Sequence, residues 1–382
     1  MKRVYLDNAA TTPLAKEVLE AMMPYLQAKY GNASSLHSFG REAAEALEKG
    51  RETIADRLNS EPAGVIFTSG GTESNNLALK GVAFANRGRG KHIVTTKIEH
   101  SSVLNPCRWL EEQGFEVTYL GVDQHGIVDA SAVEDAIRDD TILVSVGHAN
   151  NEIGTIQELE EIGKITGERG VCFHTDACQS FTKCRLDAKR YNLDLVTVNA
   201  HKIHGPKGVG ALVVAAGTKL TPLAHGGGQE SGIRGGTENV AGIVGFAKAV
   251  EMTSERDIKH MQALRDKLIN GTVGGIEGVR LNGHPVMRLC NNANFSFHGI
   301  EGEALLLRLD AKGVACSTGS ACSSRSLEPS HVLAALGLKP EDSHGSLRMT
   351  LGVGNTGDDI DYAVEALVDE VAKLREISPV RR

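Results

Sequence analysis

The segment Ser317-Thr-Gly-Ser-Ala-Cys322-Ser-Ser324 sets one thiol in a run of small side chains, too polar to be an ordinary core segment. A buried cysteine behaves as a small hydrophobe with apolar neighbours at strand or helix spacing. Cys322 has none close by, so it is placed to react, unless it is the incidental thiol of a surface loop. Val198-Asn-Ala-His201-Lys202-Ile-His-Gly-Pro-Lys-Gly-Val-Gly210 puts a lysine directly after an apolar run and before a glycine-proline turn. An amine held there can form a Schiff base where burial or nearby charge frees it of its proton. A solvated loop lysine is the alternative, for Lys202 and Lys207 alike. His174-Thr-Asp176-Ala-Cys-Gln179 places a carboxylate just after another strand. It can hold a proton on a pyridine-type ring nitrogen, or simply cap a helix. His100, at a strand-to-helix junction, can stack on such a ring or be a satisfied, partly buried histidine. Ser69-Gly-Gly-Thr-Glu-Ser74 follows a strand and opens a helix, where free N–H groups and the helix dipole meet anions such as phosphate. It lacks the P-loop lysine and the dinucleotide spacing, and a tight turn with Thr72 as N-cap reads the same way.

These residues need elements to hold them. Between about 62 and 215, short apolar runs alternate with amphipathic segments, the rhythm of an α/β domain with a mostly parallel sheet. The pattern predicts strands at 65–67, 92–95, 116–120, 142–145, 171–174, 193–198 and 209–214, with helices from about Glu73, near His100, and at 130–138 and 157–168. Ligands in such sheets sit at the C-terminal strand ends, where Lys202, Asp176 and His100 all fall. Residues 240–270 read as one long helix or a helix pair. Beyond them Asn291 to Phe297 alternates as a half-exposed strand, 302–309 reads as a helix, 345–351 as a strand and 358–377 as an acid-led helix. The expected organisation is a large α/β domain over 15–255 and a smaller α+β domain from 1–14 and 256–382, the latter carrying the Cys322 loop at about 313–327.

With 382 residues, 41% of them hydrophobic and 23% charged, the chain can bury two cores. A net charge of -7 without a basic run argues against nucleic acid or an anionic membrane surface. No apolar stretch is long enough to span a membrane, and the N-terminus lacks the apolar core of a secretion signal. Seven cysteines without a C-x-x-C pair suit free thiols in a reducing cytoplasm.

Several ordered motifs, spread nearly end to end, resemble the pyridoxal-phosphate-dependent cysteine desulfurases of the NifS/IscS type, within the fold-type I aminotransferase superfamily. They are Tyr5-Leu-Asp-Asn-Ala-Ala-Thr-Thr-Pro13, Gly31-Asn-Ala-Ser-Ser-Leu-His37, Phe67-Thr-Ser-Gly-Gly-Thr-Glu-Ser-Asn-Asn76 and His148-Ala-Asn-Asn-Glu-Ile-Gly154. To these add Ala200 to Gly208, Gly226 to Glu230, Arg234 to Asn239, Ser317 to Ser324 and Ser346 to Gly352. The resemblance implies a seven-stranded, mostly parallel sheet flanked by helices, a homodimer, pyridoxal 5'-phosphate as cofactor and L-cysteine as substrate. It implies Lys202 as the Schiff-base lysine, Asp176 as partner of the ring nitrogen, and Gln179 and Asn151 as donors to the ring oxygen. His100 resembles the stacking residue and acid/base. Gly71, Thr72 and His201 resemble phosphate ligands, with Thr237 reaching the phosphate of the neighbouring subunit. Arg348 resembles the clamp on the substrate carboxylate, a task suited to its planar fork, with Asn151 and Asn32 assisting. Cys322 resembles the nucleophile that takes sulfur as a persulfide and passes it on, for iron–sulfur cluster assembly on an IscU-type scaffold.

Departures from that family's pattern are Asn199, where serine is usual at the cofactor phosphate, Ala33 in place of a frequent proline, and Cys178, Cys184 and Cys316. Strand alternation predicts that Cys178 points away from the cofactor face. Two other function classes stay open: a related pyridoxal lyase or aminotransferase, and an assembly partner whose Cys322 ligates a [2Fe–2S] cluster shared with a scaffold.

Overall fold

The computed structural model describes residues 2–318 and 330–378. Eight strands fall in the first part of the chain: β1 (Val4–Tyr5), β2 (Val65–Thr68), β3 (His92–Thr96), β4 (Glu116–Leu120), β5 (Thr141–Ser145), β6 (Cys172–Asp176), β7 (Leu195–Asn199) and β8 (Gly210–Val214). The last seven form one sheet in the order β2-β8-β7-β6-β5-β3-β4, in which β8 alone runs against its neighbours. The central strands are apolar because helices cover both faces. Period-two alternation splits most of their residues between the two faces. Val65, Phe67, Val196, Val198, Ala211 and Val213 enter one core, and Ile66, Leu195 and Leu212 enter the other.

The second part contributes β9 (Val279–Asn282), β10 (Asn292–Phe297), β11 (Val314–Ala315) and β12 (Ser346–Thr350). β10 is flanked by β9 and β12, both antiparallel, and β1 pairs with β11. Helices Glu255–Gly275, Gly302–Ala311 and Gly357–Ile377 close over this sheet around a core that includes Leu268, Phe295, Leu347 and Leu367. Thr356 and Asp359 form a reciprocal capping box that starts the last helix.

Of the two forms expected for residues 240–270, the helix pair is the one found, broken at Thr253, with Ser254 capping the second helix. Two details differ from the sequence expectation. β10 is buried along its whole length rather than half-exposed. Its polar residues bond internally: Asn282 Nδ2 donates to Asn294 Oδ1 at 2.8 Å and to Ser296 Oγ at 2.8 Å, and Asn294 Nδ2 donates to the Glu152 carbonyl at 3.1 Å, while the buried Asn292 Oδ1 has no partner. Alternation therefore separated apolar from hydrogen-bonded polar positions, not core from solvent. Helix Gly71–Ala85 starts two residues early and its N-cap is Gly70, not Thr72. Gly70 has φ of 146°, a conformation that a residue with a side chain rarely takes.

No described helix is long and apolar enough to cross a membrane.

Candidate active site

β2, β3, β5, β6 and β7 all run in the same sense, so their C-terminal ends open onto one edge of the sheet. A cavity of about 720 Å³ sits there, within the range of cofactor sites. Each strand feeds it residues: Gly71 and Thr72 after β2, Glu99 and His100 after β3, Asn151 and Glu152 after β5, Asp176, Cys178 and Gln179 at and after β6, Asn199, His201 and Lys202 at and after β7. Arg348 on β12 and His331, from the second part of the chain, also line it. A larger open groove, about 960 Å³, lies at the opposite strand edge beside Cys172 and Asp194 and gathers no comparable set.

Lys202 projects from a turn that the N-terminal strap pins. The Thr12 N–H and hydroxyl both donate to the His201 carbonyl at 2.9 Å, and the Thr12 hydroxyl accepts from the His204 N–H at 2.8 Å. Asp176 is the last residue of β6 and is held by donors: the Cys178 N–H to Oδ1 at 2.9 Å and Asn75 Nδ2 to Oδ2 at 2.7 Å. Burial pushes its carboxyl up, but nearby His100 and these donors outweigh it and hold the group below its ordinary range. It is an anion at neutral pH. Burial, with Lys202 adding to it, pushes the His100 imidazole down, and burial with the charges of Lys202, Lys207 and Lys183 takes His201 down to about 4. Arg348 donates through Nη1 to the Asn151 carbonyl at 3.0 Å and through Nη2 to Asp7 at 2.9 Å, while its buried Nε has no partner. An unpaired buried donor on a guanidinium is costly unless an anion reaches it.

The chain on either side of 319–329 is tied to this rim. Ser317 and Arg348 exchange backbone hydrogen bonds of 3.1 and 2.7 Å. On the C-terminal side of that segment, the Ser330 hydroxyl donates to Glu152 at 2.6 Å and His331 Nε2 meets the Glu99 carbonyl at 3.0 Å. Cys322 itself lies outside the described residues.

Of the other sequence candidates, Asn32 and Thr237 are exposed and do not line the cavity of this single chain. Gln179 does line it, with its amide nitrogen donating to the Ala9 carbonyl at 3.0 Å. Cys178 corrects the expectation from alternation: it faces the cavity. β6 ends at Asp176, so Cys178 lies in a turn where period-two no longer applies. A Cβ on Gly71 would come within 2.5 Å of Cys178 Sγ, so the glycine is required by close approach. Gly71→Ala is expected to cost about 1–3 kcal/mol of stability through overpacking, and Gly71→Ala with Cys178→Ala to recover most of it. Thermal melting of the three proteins checks this, and equal losses in the single and double variants would refute the steric account.

Four residues escaped sequence reasoning. Glu99 and Glu152 are buried on the cavity wall, where burial lifts each carboxyl to about 7. Their only signal was adjacency to His100 and Asn151. Asn75 and Ser102 lie one helical turn or less inside two helices that open on the cavity, and their side chains meet at 2.8 Å.

The donor set suits pyridoxal phosphate. The first turn of helix Gly71–Ala85, Thr72 and His201 offer donors to a phosphate, Asp176 a buried anion to a pyridinium nitrogen, and Lys202 an amine, while Arg348 Nε awaits a carboxylate. Among the described residues no cluster of three or more His, Cys, Asp or Glu could hold a metal ion.

Residues 4–363 match the model of the aminotransferase class-V family. A cysteine desulfurase IscS of Dictyoglomus turgidum is 53% identical over 386 residues, covering 100% of this chain and 98% of that protein. Among solved structures, a NifS-like protein superposes with a TM-score of 0.92 at 38% identity, covering 98% of this chain and 100% of that one. The structure titled SspA in complex with cysteine gives 0.83 at 40% identity, covering 92% of this chain and 100% of that one.

Proposed function

Since the chain belongs to the class-V aminotransferases, and among them to the pyridoxal-phosphate-dependent cysteine desulfurases, we propose that it converts L-cysteine to L-alanine and receives the sulfur on Cys322 as a persulfide. Atoms balance: the substrate C–S bond breaks, an S–S bond forms at Cys322, and alanine leaves with the proton that replaces sulfur.

The observation that carries this reading is the cavity in which Lys202, the Asp176 anion, neutral His100 and the unpaired Nε of Arg348 share one wall system. Bound pyridoxal phosphate supplies an electron sink that makes the substrate's Cα–H acidic and its C–S bond cleavable. Arg348, with Asn151 beside it, holds the substrate carboxylate. Lys202 moves the Cα proton, His100 serves as acid/base at the sulfur end, and Asp176 keeps the ring nitrogen charged. Gly71, Thr72, Asn199 and His201 hold the phosphate, with Asn199 donating through its Nδ2.

We assign residues 15–255 to the large domain and 1–14 with 256–382 to the small one. A homodimer completes the site: Thr237 reaches the neighbouring phosphate and Asn32 the carboxylate end. Leu19, Met23 and Leu26 on helix Lys16–Gln27, with Tyr30, Leu36 and Phe39 after it, leave an exposed apolar strip suited to such a contact. The sulfur goes to iron–sulfur cluster assembly in the cytoplasm, on an IscU-type scaffold.

The test is a visible spectrum of the purified protein with and without L-cysteine, followed by assay of alanine and of Cys322-bound sulfur. A pyridoxal band that responds to cysteine, with alanine and persulfide in equal amounts on a first turnover, is expected. A protein without the band and without alanine would instead be a cluster-assembly partner using Cys322 as ligand.

A further inference from the structure

Asn75 has no part in the roles assigned above, yet it is wholly buried and bonds to Asp176 directly and, through Ser102, to His100. One Nδ2 hydrogen goes to Asp176 Oδ2 at 2.7 Å and the other to Ser102 Oγ at 2.8 Å. Ser102 Oγ lies 2.7 Å from His100 Nδ1, and the Ser102 backbone N–H donates to the same nitrogen at 3.1 Å.

The directions of these bonds follow from what each group can do. Asp176 is an anion that only accepts, so the amide of Asn75 must turn its nitrogen towards it; the reverse orientation would set two acceptors face to face. That leaves Asn75 Oδ1 buried without a partner, a cost offset by the charged hydrogen bond on the other side. With the nitrogen fixed, its second hydrogen occupies a lone pair of Ser102 Oγ. The serine hydroxyl then turns its own hydrogen to His100 Nδ1, which also accepts from the backbone. Nδ1 cannot carry a proton without meeting an N–H head-on. The imidazole proton must therefore sit on Nε2, for which no described residue provides a partner.

We infer that Asn75 and Ser102 are positioning residues that join Asp176 to His100, so that the carboxylate beside the cofactor ring aims the Ser102 hydroxyl at Nδ1 and, with the Ser102 backbone N–H, holds the imidazole neutral with its proton on Nε2, towards the substrate. The inference rests on the desulfurase reading for what the proton does, and on geometry alone for where it is. Neutral imidazole is what the burial of His100 favours as well. The charged and titratable groups around it are Asp176 from β6, Lys202 after β7, Arg348 on β12 and His331 from the helix His331–Ala335. Of these, the hydrogen-bonded path through Asn75 and Ser102 reaches Asp176.

Nitrogen-15 spectra of histidine-labelled full-length protein as purified, assigned with a His100→Gln variant, read the tautomer directly. Wild type is expected to show Nδ1 bare and Nε2 protonated. Ser102→Ala removes the hydroxyl donor. It leaves the backbone N–H on Nδ1, so the proton should stay on Nε2, but it should raise the His100 midpoint by about 0.5–1 pH unit, the equivalent of one net hydrogen bond, and shift the acid limb of alanine formation by the same amount. Ser102→Thr, which restores a hydroxyl, should return both towards wild type. A wild-type His100 protonated on Nδ1, or a Ser102→Ala protein with an unchanged His100 midpoint, would overturn the inference. Failure of the functional reading is seen separately, in wild type: no alanine from L-cysteine removes the reaction and with it the positioning role, whatever the tautomer.

Discussion

Lys202→Ala should abolish the cysteine-responsive visible band and lower alanine formation by at least the roughly 10²–10⁴-fold that a positioned proton-transfer group contributes, with loss of the covalent tether added to it. The fold should survive. The turn that carries Lys202 is fixed by backbone bonds, Ile203 N–H to the Ala200 carbonyl at 3.1 Å and Gly205 N–H to the same carbonyl at 3.0 Å, and by the Thr12 strap at both of its ends. None of these uses the lysine side chain, and no ion pair claims its amine among the described residues. Melting within a degree or two of wild type is thus the internal control. Lys202→Arg keeps the charge and should fail equally, because a guanidinium is never a free amine. Alanine production at the wild-type rate in either variant would remove Lys202 from the mechanism.

Cys322→Ala should leave the visible band intact, end persulfide formation, and cut sulfur transfer to background. The argument comes from the other six thiols. Burial pushes Cys107, Cys184 and Cys316 up to about 12, and drives Cys172, Cys178 and Cys290 upward as well. Sulfur attack needs thiolate, and a thiol raised that far supplies almost none at neutral pH. Cys178 is the near competitor, since it lines the cavity, but Asp176 beside it adds to the penalty on a second negative charge. Cys178→Ala should therefore keep persulfide formation near wild type. Mass spectrometry of the thiol-blocked protein after one turnover separates the two. An added sulfur atom on Cys178, or on any cysteine of the Cys322→Ala protein, would sink the assignment.

Much of this was readable along the chain because strand, turn and chemistry coincide there. Most of the seven runs that form the large sheet are buried and rich in apolar residues, so they stood out by composition, and their C-terminal ends are where a parallel sheet must hold its ligand. Asp176 and Lys202 could be found for that reason. Cys178 was misread because alternation was carried past the end of β6, and Thr72 because a serine or threonine at a helix start is the usual cap, whereas here Gly70 caps and Gly71 opens the helix. Asn32 and Thr237 are chemically plausible partners that one chain leaves on its outside.

The order of motifs alone determined the class of sheet, the residues that could carry the reaction and the family, since these depend on local periodicity and on the identity of residues at strand ends. Only the tertiary structure decided how the groups act on one another. Helix Gly71–Ala85 and helix Ser101–Glu112 must pack side by side before Asn75 can bridge Asp176 and Ser102, and β12 must cross the cavity before Arg348 meets Asp7 and Asn151. Burial and hydrogen-bond direction are properties of that assembly, with partners as far apart as residues 7 and 348. They set which carboxyl is charged, which thiol is inert and which nitrogen of His100 holds its proton, and no local spacing encodes them.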